Sequence, residues 1–577
     1  MISNFLEERL TIAARQVLGE DVLIKVTPCN EEVFGDYQST SIIQAAKARK
    51  LNPRKLAEDI LARANFSDFC ESVNIAGAGF INFVLRPEAV VKFLKELVSS
   101  KFVFEKARDR RTVIIDFSSP NVAKPMHVGH IRSTIIGDCL ARVFRFLGHN
   151  VITDNHLGDW GTQFGKLIVG WKKFLDEKNL QADPIGEMER LYKLVNGACE
   201  HDENLLNEAR AELVKLQSGD EENLGLWKRM LSLSLNEFEK TYQRLGVKFD
   251  YILGESFYNN ELKSVITELT QKGLAKESQG ALVVFFDDLP ELKSHPAIIL
   301  KSDGAANYMT TDLATINYRV REWNPDEIIY VTDARQQLHF KQVFEIFYRW
   351  KPEFRGKLKL VHVWFGTILG PDGKPFKTRS GDVVKLSDLL DEAEERAYKI
   401  VSEKNPSLTD AERIDIARIV GIGAVKYADL MQNRQSDYVF NWDKMLALNG
   451  NTAPYLQYAY ARIQSIFRRS GQEFNIDNLN ELDYDSVLLG TAEELKLAKH
   501  ILKFGSILES VVEDCKPNYL CNYLYELACY FTAFYENCPV LKATEQERSS
   551  RLLLCGVTAW LLKLGLDLLG IQVPEKM

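Results

Sequence analysis

Two histidines stand three residues apart in the run DFSSPNVAKPMHVGHIRSTIIGDCL (116–140), His127 and His130. A neutral imidazole can donate a hydrogen bond to a phosphate oxygen without carrying a permanent charge. At i and i+3 the two rings share one face of a helix's first turn, where free backbone amides and the positive end of the helix dipole also favour anions. Gly129 between them removes a side chain where a phosphate or a planar base could approach the backbone. The chemistry suited to this loop is the handling of nucleotide phosphates.

The elements that must hold the loop can be read on either side of it. VIIDF (113–117) is a short apolar run without alternation, as expected for a strand covered on both faces of a parallel sheet. From 132 to 147 the apolar residues Ile135, Ile136, Cys139, Leu140, Val143, Phe144 and Leu147 recur at helical spacing, and Gly148 takes the position just past the helix end. NVITDN (150–155) follows as a second strand, completing a βαβ unit. Ligands of such sheets bind beyond the carboxyl ends of the strands, which is where the histidines fall. The sheet pattern resumes at EIIYVTD (327–333) and LKLVHVWFG (358–366). The intervening stretch, about 165–300, reads as a mostly helical insertion with strands near 281–286 and 297–300.

Four segments are therefore expected. Residues 1–108 form an N-terminal α+β module that ends near a charged linker, EKARDRR (105–111). A Rossmann-like parallel-sheet domain spans 109–385, a helical stem 386–449, and a helix bundle 450–577. The fold class is thus α/β plus all-α. At 577 residues, 46% hydrophobic and 26% charged, the chain is long enough for several packed cores. A net charge of −8 argues against a protein that coats DNA nonspecifically, although a local basic face can still meet a nucleic acid. The nine cysteines include no C-x-x-C pair; Cys515, Cys521, Cys529 and Cys538 are read as buried thiols, with no metal site and a reducing, cytoplasmic setting. LLLCGVTAWLL (552–562) is too short for a membrane span and is read as a core helix.

SSPNVAKPMHVGHIRSTIIGD (118–138) resembles the HIGH signature of class I aminoacyl-tRNA synthetases. With NHLGDWGTQFG (155–165), YMTTDLA (308–314), GKPFKTRSGD (373–382) and NTAPYLQYAYAR (451–462) following in order, the chain resembles the arginyl-tRNA synthetases of bacterial type. The resemblance implies that His127 and His130 stabilise the triphosphate of ATP while the arginine carboxylate attacks the α-phosphate, and that the arginyl group then passes to the terminal ribose of tRNA(Arg). It gives Lys124 a compensating charge where the family's second signature, K-M-S-K-S, is altered. That signature is KPFKTR here, with Lys374 and Lys377 at its two lysine positions or with Lys377, Thr378 and Arg379 marking its end. Gly129, Gly158, Asp159, Trp160, Gln163 and Lys377 are implied as neighbours of ATP, which would carry Mg²⁺ on its phosphates.

A planar guanidinium with five donors calls for a carboxylate that accepts its fork. Asp312 lies four residues after Tyr308, so the two can share a helix face. The resemblance makes this pair the arginine side-chain pocket with Gln336 nearby, places Asp116 and Asn121 at the α-amino group, and adds Ser118 and His156 to the arginine site. For tRNA it implies Tyr455, Gln457, Tyr458 and Arg462 in the bundle, rings for stacked bases and a cation for phosphates, and Phe80 and Asn82 in the N-terminal module. It also implies a monomer, and activation that waits for bound tRNA. Three other readings stay open: a small nucleotidyltransferase on the same H-x-G-H loop, a noncatalytic tRNA-binding regulator, and a synthetase specific for lysine. The chain's length and second signature exceed what the first requires. The second would be expected to lose signature residues, and a lysine ammonium would leave the fork chemistry unused.

Overall fold

The computed structural model describes residues 2–19, 22–29, 31–100, 109–302, 304–377, 384–471 and 487–577. Two compact units emerge, Met1–Ala107 with Val401–Tyr427 and Lys444–Met577, and Arg108–Ile400 with Ala428–Asp443. The 105–111 linker lies mostly outside the described residues, as do Thr378 and Arg379.

In the first unit, β1 (Thr27–Pro28), β2 (Tyr37–Ser39), β3 (Cys70–Ala76) and β4 (Phe80–Leu85) form an antiparallel sheet in the order β1-β2-β4-β3. The turn between β3 and β4 is built on Gly77 and Gly79, both at positive φ; at Gly79 a Cβ would also stand 2.9 Å from the Pro53 carbonyl oxygen. The helices Ile2–Leu18, Ser41–Ala48, Pro53–Leu61 and Pro87–Ser99 accompany this sheet. Within the same unit Asp36 pairs with Lys499 at 2.8 Å, and the Ser3 and Ser506 hydroxyls meet at 2.7 Å. The bundle comprises Ala453–Ser470, Ala492–Ile501, Phe504–Asp514, Asn518–Asn537 and Glu545–Leu568. LLLCGVTAWLL is buried along nearly its whole length in the last of these, and among the described residues no helix is long and apolar enough to cross a membrane. Cys515, Cys521 and Cys538 are buried, whereas Cys529, expected inside, is exposed. The helix Asn518–Asn537 turns Leu524, Leu527, Ala528, Phe531 and Phe534 inward and leaves position 529 on its outer face.

The second unit holds a four-stranded, all-parallel sheet of β5 (Thr112–Asp116), β6 (Asn150–Asp154), β10 (Glu327–Tyr330) and β11 (Lys359–His362), ordered β11-β10-β5-β6. Val113, Ile114 and Ile115 have no exposed surface, which is why β5 reads as an uninterrupted apolar run. β10 and β11 end at Tyr330 and His362, earlier than the apolar sequence suggests, although the Val331 and Val363 amides still donate to the Asp116 and Tyr330 carbonyls. The register brings Asp154, Asp116, Tyr330 and His362 into one row across the carboxyl ends of the strands. The helix Val128–Phe146 crosses from β5 to β6, and Gly137 lets it press onto Phe117, whose ring a Cβ would overlap. Gly148 follows this helix at positive φ, as its place in the sequence predicts.

Between β6 and β10 lies the insertion. Four of its helices start at aspartates, Asp176, Asp183, Asp202 and Asp220, whose carboxylates accept from first-turn amides. Phe164, Ile168, Met188, Leu191, Leu216 and Met230 form one of its apolar clusters. The insertion closes with a small antiparallel sheet, β7 (Ala275–Ser278), β8 (Ala281–Val284) and β9 (Ala297–Leu300), before the helix Tyr308–Trp323 returns the chain to β10.

Candidate active site

The loop from β5 to its helix is held in a demanding conformation. Ser118, Ser119 and Ala123 all have positive φ (75°, 49° and 62°), left-handed backbone that costs about 1–3 kcal/mol at a non-glycine residue. Side chains reaching in from elsewhere fix it. The Ser118 amide donates to Ser133 Oγ (2.8 Å), that of Ser119 to Asn155 Oδ1 (3.0 Å) and that of Ala123 to Ser234 Oγ (3.0 Å). GDWG lies alongside: the Gly158 amide donates to the Pro120 carbonyl (3.2 Å) and the Val122 amide to the Gly158 carbonyl (3.1 Å). A Cβ at Gly158 would collide with the Asn121 side chain.

At the helix start the two histidines cap each other. His127 Nδ1 accepts from the Gly129 amide and His130 Nδ1 from the His127 amide, both at 3.0 Å. With Nδ1 an acceptor, the proton of each neutral ring is on Nε2, which remains available as a donor. The ring centroids are 3.9 Å apart. Burial, reinforced by the charge of His127, holds the His130 pKa down at about 3; burial and then the positive Arg335 lower that of His127. Both rings are therefore neutral donors near neutral pH. Gly129 serves the cap as well, because a Cβ there would stand 2.8 Å from the His127 ring.

The segment from Val384 approaches the same loop. The Val128 amide donates to the Val384 carbonyl (3.0 Å) and the Leu386 amide to the Met126 carbonyl (2.9 Å), so the segment after GKPFKTRSGD pairs with the histidine loop. Before it, a tight turn closes between Gly370 and Lys374 (2.7 Å), and Phe376 stacks on Phe440 at 4.7 Å. Lys374 and Lys377 both project into solvent. Lys124 is exposed too, its ammonium 5.4 Å from the centroid of the Tyr192 ring.

At the carboxyl end of β5, Asp116 faces inward. Its Oδ2 accepts from buried Arg319 (2.6 Å), which also donates to Asp154 (2.8 Å), and Ser119 Oγ donates to its Oδ1 at 3.2 Å. Arg319 comes from the helix Tyr308–Trp323, whose first turns also carry Tyr308 and Asp312. Asp312 Oδ2 is 2.5 Å from His339 Nε2, and the Tyr308 ring meets the His339 ring edge-on at 4.8 Å. His156 is half-buried with its ring 5.6 Å from that of Tyr258, and Gln336 is exposed in the turn before the helix Gln337–Trp350.

Three candidate side chains are engaged elsewhere. The Ser118 hydroxyl is buried against Tyr242 Oη (2.8 Å) and Thr134 Oγ1 (2.9 Å), so it anchors the loop rather than facing a substrate. Both Asp159 oxygens accept from Ser256, from its amide (2.8 Å) and its hydroxyl (2.7 Å), which makes this carboxylate a clamp on the 255–258 turn. Gln457 is fully buried, its amide donating to the carbonyls of Gln572 (2.8 Å) and Ile419 (3.3 Å); a tRNA contact through this side chain is corrected to a core role. Trp160 packs edge-on to Trp227 at 5.8 Å beside the insertion's apolar cluster, and Gln163 opens the helix Gln163–Phe174. In the first unit Tyr455 edges Tyr525 (5.9 Å), Tyr458 is 45% exposed, and the Arg462 guanidinium lies 4.4 Å over Tyr535. Phe80 is partly exposed. Asn82 is buried with no partner for its Oδ1 among the described residues, and it lines a cavity of ≈ 480 Å³ with Asp36, Asn74, Lys496, Lys499 and Tyr530.

Two charged groups beside these residues escape sequence reasoning. Arg319 is one. The other is Glu255, whose carboxyl burial pushes up to about 7, opposed by His156 and assisted by the charges of Asp312 and Asp159. A carboxyl crowded by other carboxyls and shielded from water is suited to a cation that arrives from outside. The motif-free stretch around it gives no signal beyond Gly254, where a Cβ would overlap the Asp159 carboxylate.

Residues 93–442 match the model for the class I (R) tRNA synthetase catalytic domain, residues 456–577 the DALR anticodon binding domain, and residues 2–85 the arginyl-tRNA synthetase N-terminal domain. The chain belongs to the class I arginyl-tRNA synthetase family. Among its relatives, the arginine–tRNA ligase of Chromobacterium violaceum is 46% identical across the full length of both chains. That of Fusobacterium nucleatum is 46% identical over 96% of this chain and 95% of its own. The arginyl-tRNA synthetase structures of Plasmodium falciparum (32% identity, TM-score 0.82, 100% of this chain and 99% of that one) and Thermus thermophilus (26%, 0.83, all of both) share the fold end to end. The neutral histidine pair and the turn at Gly370–Lys374 both lie within the span matched by the catalytic-domain model.

Proposed function

We propose that the chain is an arginine–tRNA ligase. It activates L-arginine with ATP, the arginine carboxylate oxygen bonding to the α-phosphorus as pyrophosphate leaves, and then transfers the arginyl group to a hydroxyl of the 3′-terminal adenosine of tRNA(Arg) with release of AMP. The observation that carries this reading is the coexistence, in one unit, of two neutral Nε2–H donors at a helix start and an acidic pocket formed by Asp312 and Glu255. The donors suit the charge that builds on phosphate oxygens, where preorganised hydrogen bonds contribute most. The exposed lysines Lys124, Lys374 and Lys377 suit the departing pyrophosphate, and Mg²⁺ would arrive on the triphosphate. Asp116 and Asn121 suit the α-amino group. Tyr455, Tyr458, Arg462 and Phe80 remain the proposed tRNA contacts, with Asn82 facing its cavity. We assign the enzyme to a reducing, cytoplasmic setting as a monomer, supported by the family and by buried free thiols.

ATP–pyrophosphate exchange tests this directly, with arginine or lysine, each with and without tRNA(Arg). Exchange with arginine alone among the amino acids is expected, and only when tRNA is present. Exchange with lysine, or tRNA binding with no exchange at all, would overturn the reading.

Glu255 adds a pH signature. Its pKa is raised to about 7, and only the ionised form attracts a guanidinium. Affinity for arginine should therefore be full above that pH and fall as the pH drops through it. The KM for arginine, measured between pH 5.5 and 8.5, should rise on the acid side in the parent enzyme and lose that dependence in Glu255→Gln; an unchanged profile in the variant would remove Glu255 from the pocket.

A further inference from the structure

His339 is not among the residues assigned from the sequence, yet it touches both residues assigned to the arginine side chain. Its Nε2 is 2.5 Å from Asp312 Oδ2 and its ring meets Tyr308 at 4.8 Å, while Phe340 backs it at 5.3 Å. Its other nitrogen, Nδ1, is buried and has no hydrogen-bond partner among the described residues. A proton there would be a buried donor without an acceptor, an unfavourable arrangement. The proton that faces Asp312 is accordingly on Nε2, and the ring donates it to the carboxylate. A carboxylate offers about four lone-pair positions. His339 occupies one, leaving Oδ1 and the second lone pair of Oδ2 for an incoming fork of N–H donors.

Asp312 is one turn into its helix, and its carboxylate plane would otherwise be free to rotate about the last side-chain bond. Bidentate recognition of a planar guanidinium depends on that plane; attraction to a point charge does not. We infer that His339 is a positioning residue for arginine recognition, fixing the plane of Asp312 and the edge of Tyr308 so that the pocket reads a fork rather than a charge. This deepens the arginine reading of the pocket and rests on it.

The test uses the full-length enzyme with tRNA(Arg) and steady-state aminoacylation, comparing His339→Phe, His339→Gln, Asp312→Asn and the double variant His339→Phe/Asp312→Asn. Phenylalanine keeps a ring against Tyr308 but has no donor, so the KM for arginine should rise about 10- to 100-fold, the range expected on losing a hydrogen bond to a charged group. kcat and the KM for ATP should stay near the parent values. Glutamine supplies an amide N–H and should restore most of the loss. The double variant should be no worse than Asp312→Asn, since His339 acts through that carboxylate. An unchanged arginine KM in His339→Phe alongside a raised one in Asp312→Asn would overturn the inference, as would additive losses in the double variant. So would a fall in kcat and thermal stability that glutamine does not repair, which marks a packing role. If Asp312→Asn leaves the arginine KM untouched, the pocket assignment itself falls.

Discussion

Replacing His130 by alanine is expected to slow arginine-dependent ATP–pyrophosphate exchange by about 10²–10³-fold, the range for removing one preorganised donor from a site of developing charge. The KM values for arginine and ATP should change little, because the donor acts on charge that is largest in the transition state. Alanine also removes the cap on the His127 amide, a loss worth about 1 kcal/mol of helix stability. His130→Asn separates the two effects. Its side-chain oxygen can accept from the same amide, but it has no donor where Nε2–H stood, so it should keep parental thermal stability and lose the rate all the same. Rapid exchange in the asparagine variant would show that the ring serves the fold alone. Since His130 is held near a pKa of 3, neither outcome should depend on pH between 5 and 8.

The second large effect concerns Asp312. Its alanine variant should raise the KM for arginine by about 30-fold or more, the lower part of the 2–5 kcal/mol expected when one partner of a buried charge pair is truncated. The KM for ATP should move far less, because the carboxylate is bound to His339, which also packs on Tyr308. Equal rises in both constants would mean that the pocket has collapsed; a normal arginine KM would take Asp312 out of it.

The sheet was legible where burial leaves a simple mark. VIIDF carries no polar residue at Val113, Ile114 or Ile115 because both faces are covered, and Gly148 marks the helix end because the chain needs positive φ there. The place of the two histidines at a helix start was legible from their spacing and the apolar period that follows, whereas their capping of the His127 and Gly129 amides was not read from the sequence. The positive φ at Ser118, Ser119 and Ala123 was not, since these residues rarely adopt it and are held there by Ser133, Asn155 and Ser234 from distant segments. Glu255 and Arg319 acquire their roles only through burial beside groups far away in sequence. Gln457 misled in the other direction. Flanked by tyrosines, it reads as an open polar contact, but its neighbours include two backbone carbonyls that required a donor.

The split sheet sets a timetable for synthesis. β5 emerges from the ribosome with β6 close behind, but β10, its partner on the other side, joins it across about 214 residues of sequence. At synthesis rates of about 5–20 residues per second, roughly 10 to 40 seconds pass before that neighbour exists. Throughout that interval the apolar edge of Val113–Ile115 is half-paired, the state in which strands recruit unintended partners. The insertion, with its own apolar cluster and capped helices, can pack during the wait. Slow codons placed within it would therefore lengthen the vulnerable period of β5, and the same codons placed after β10 would not.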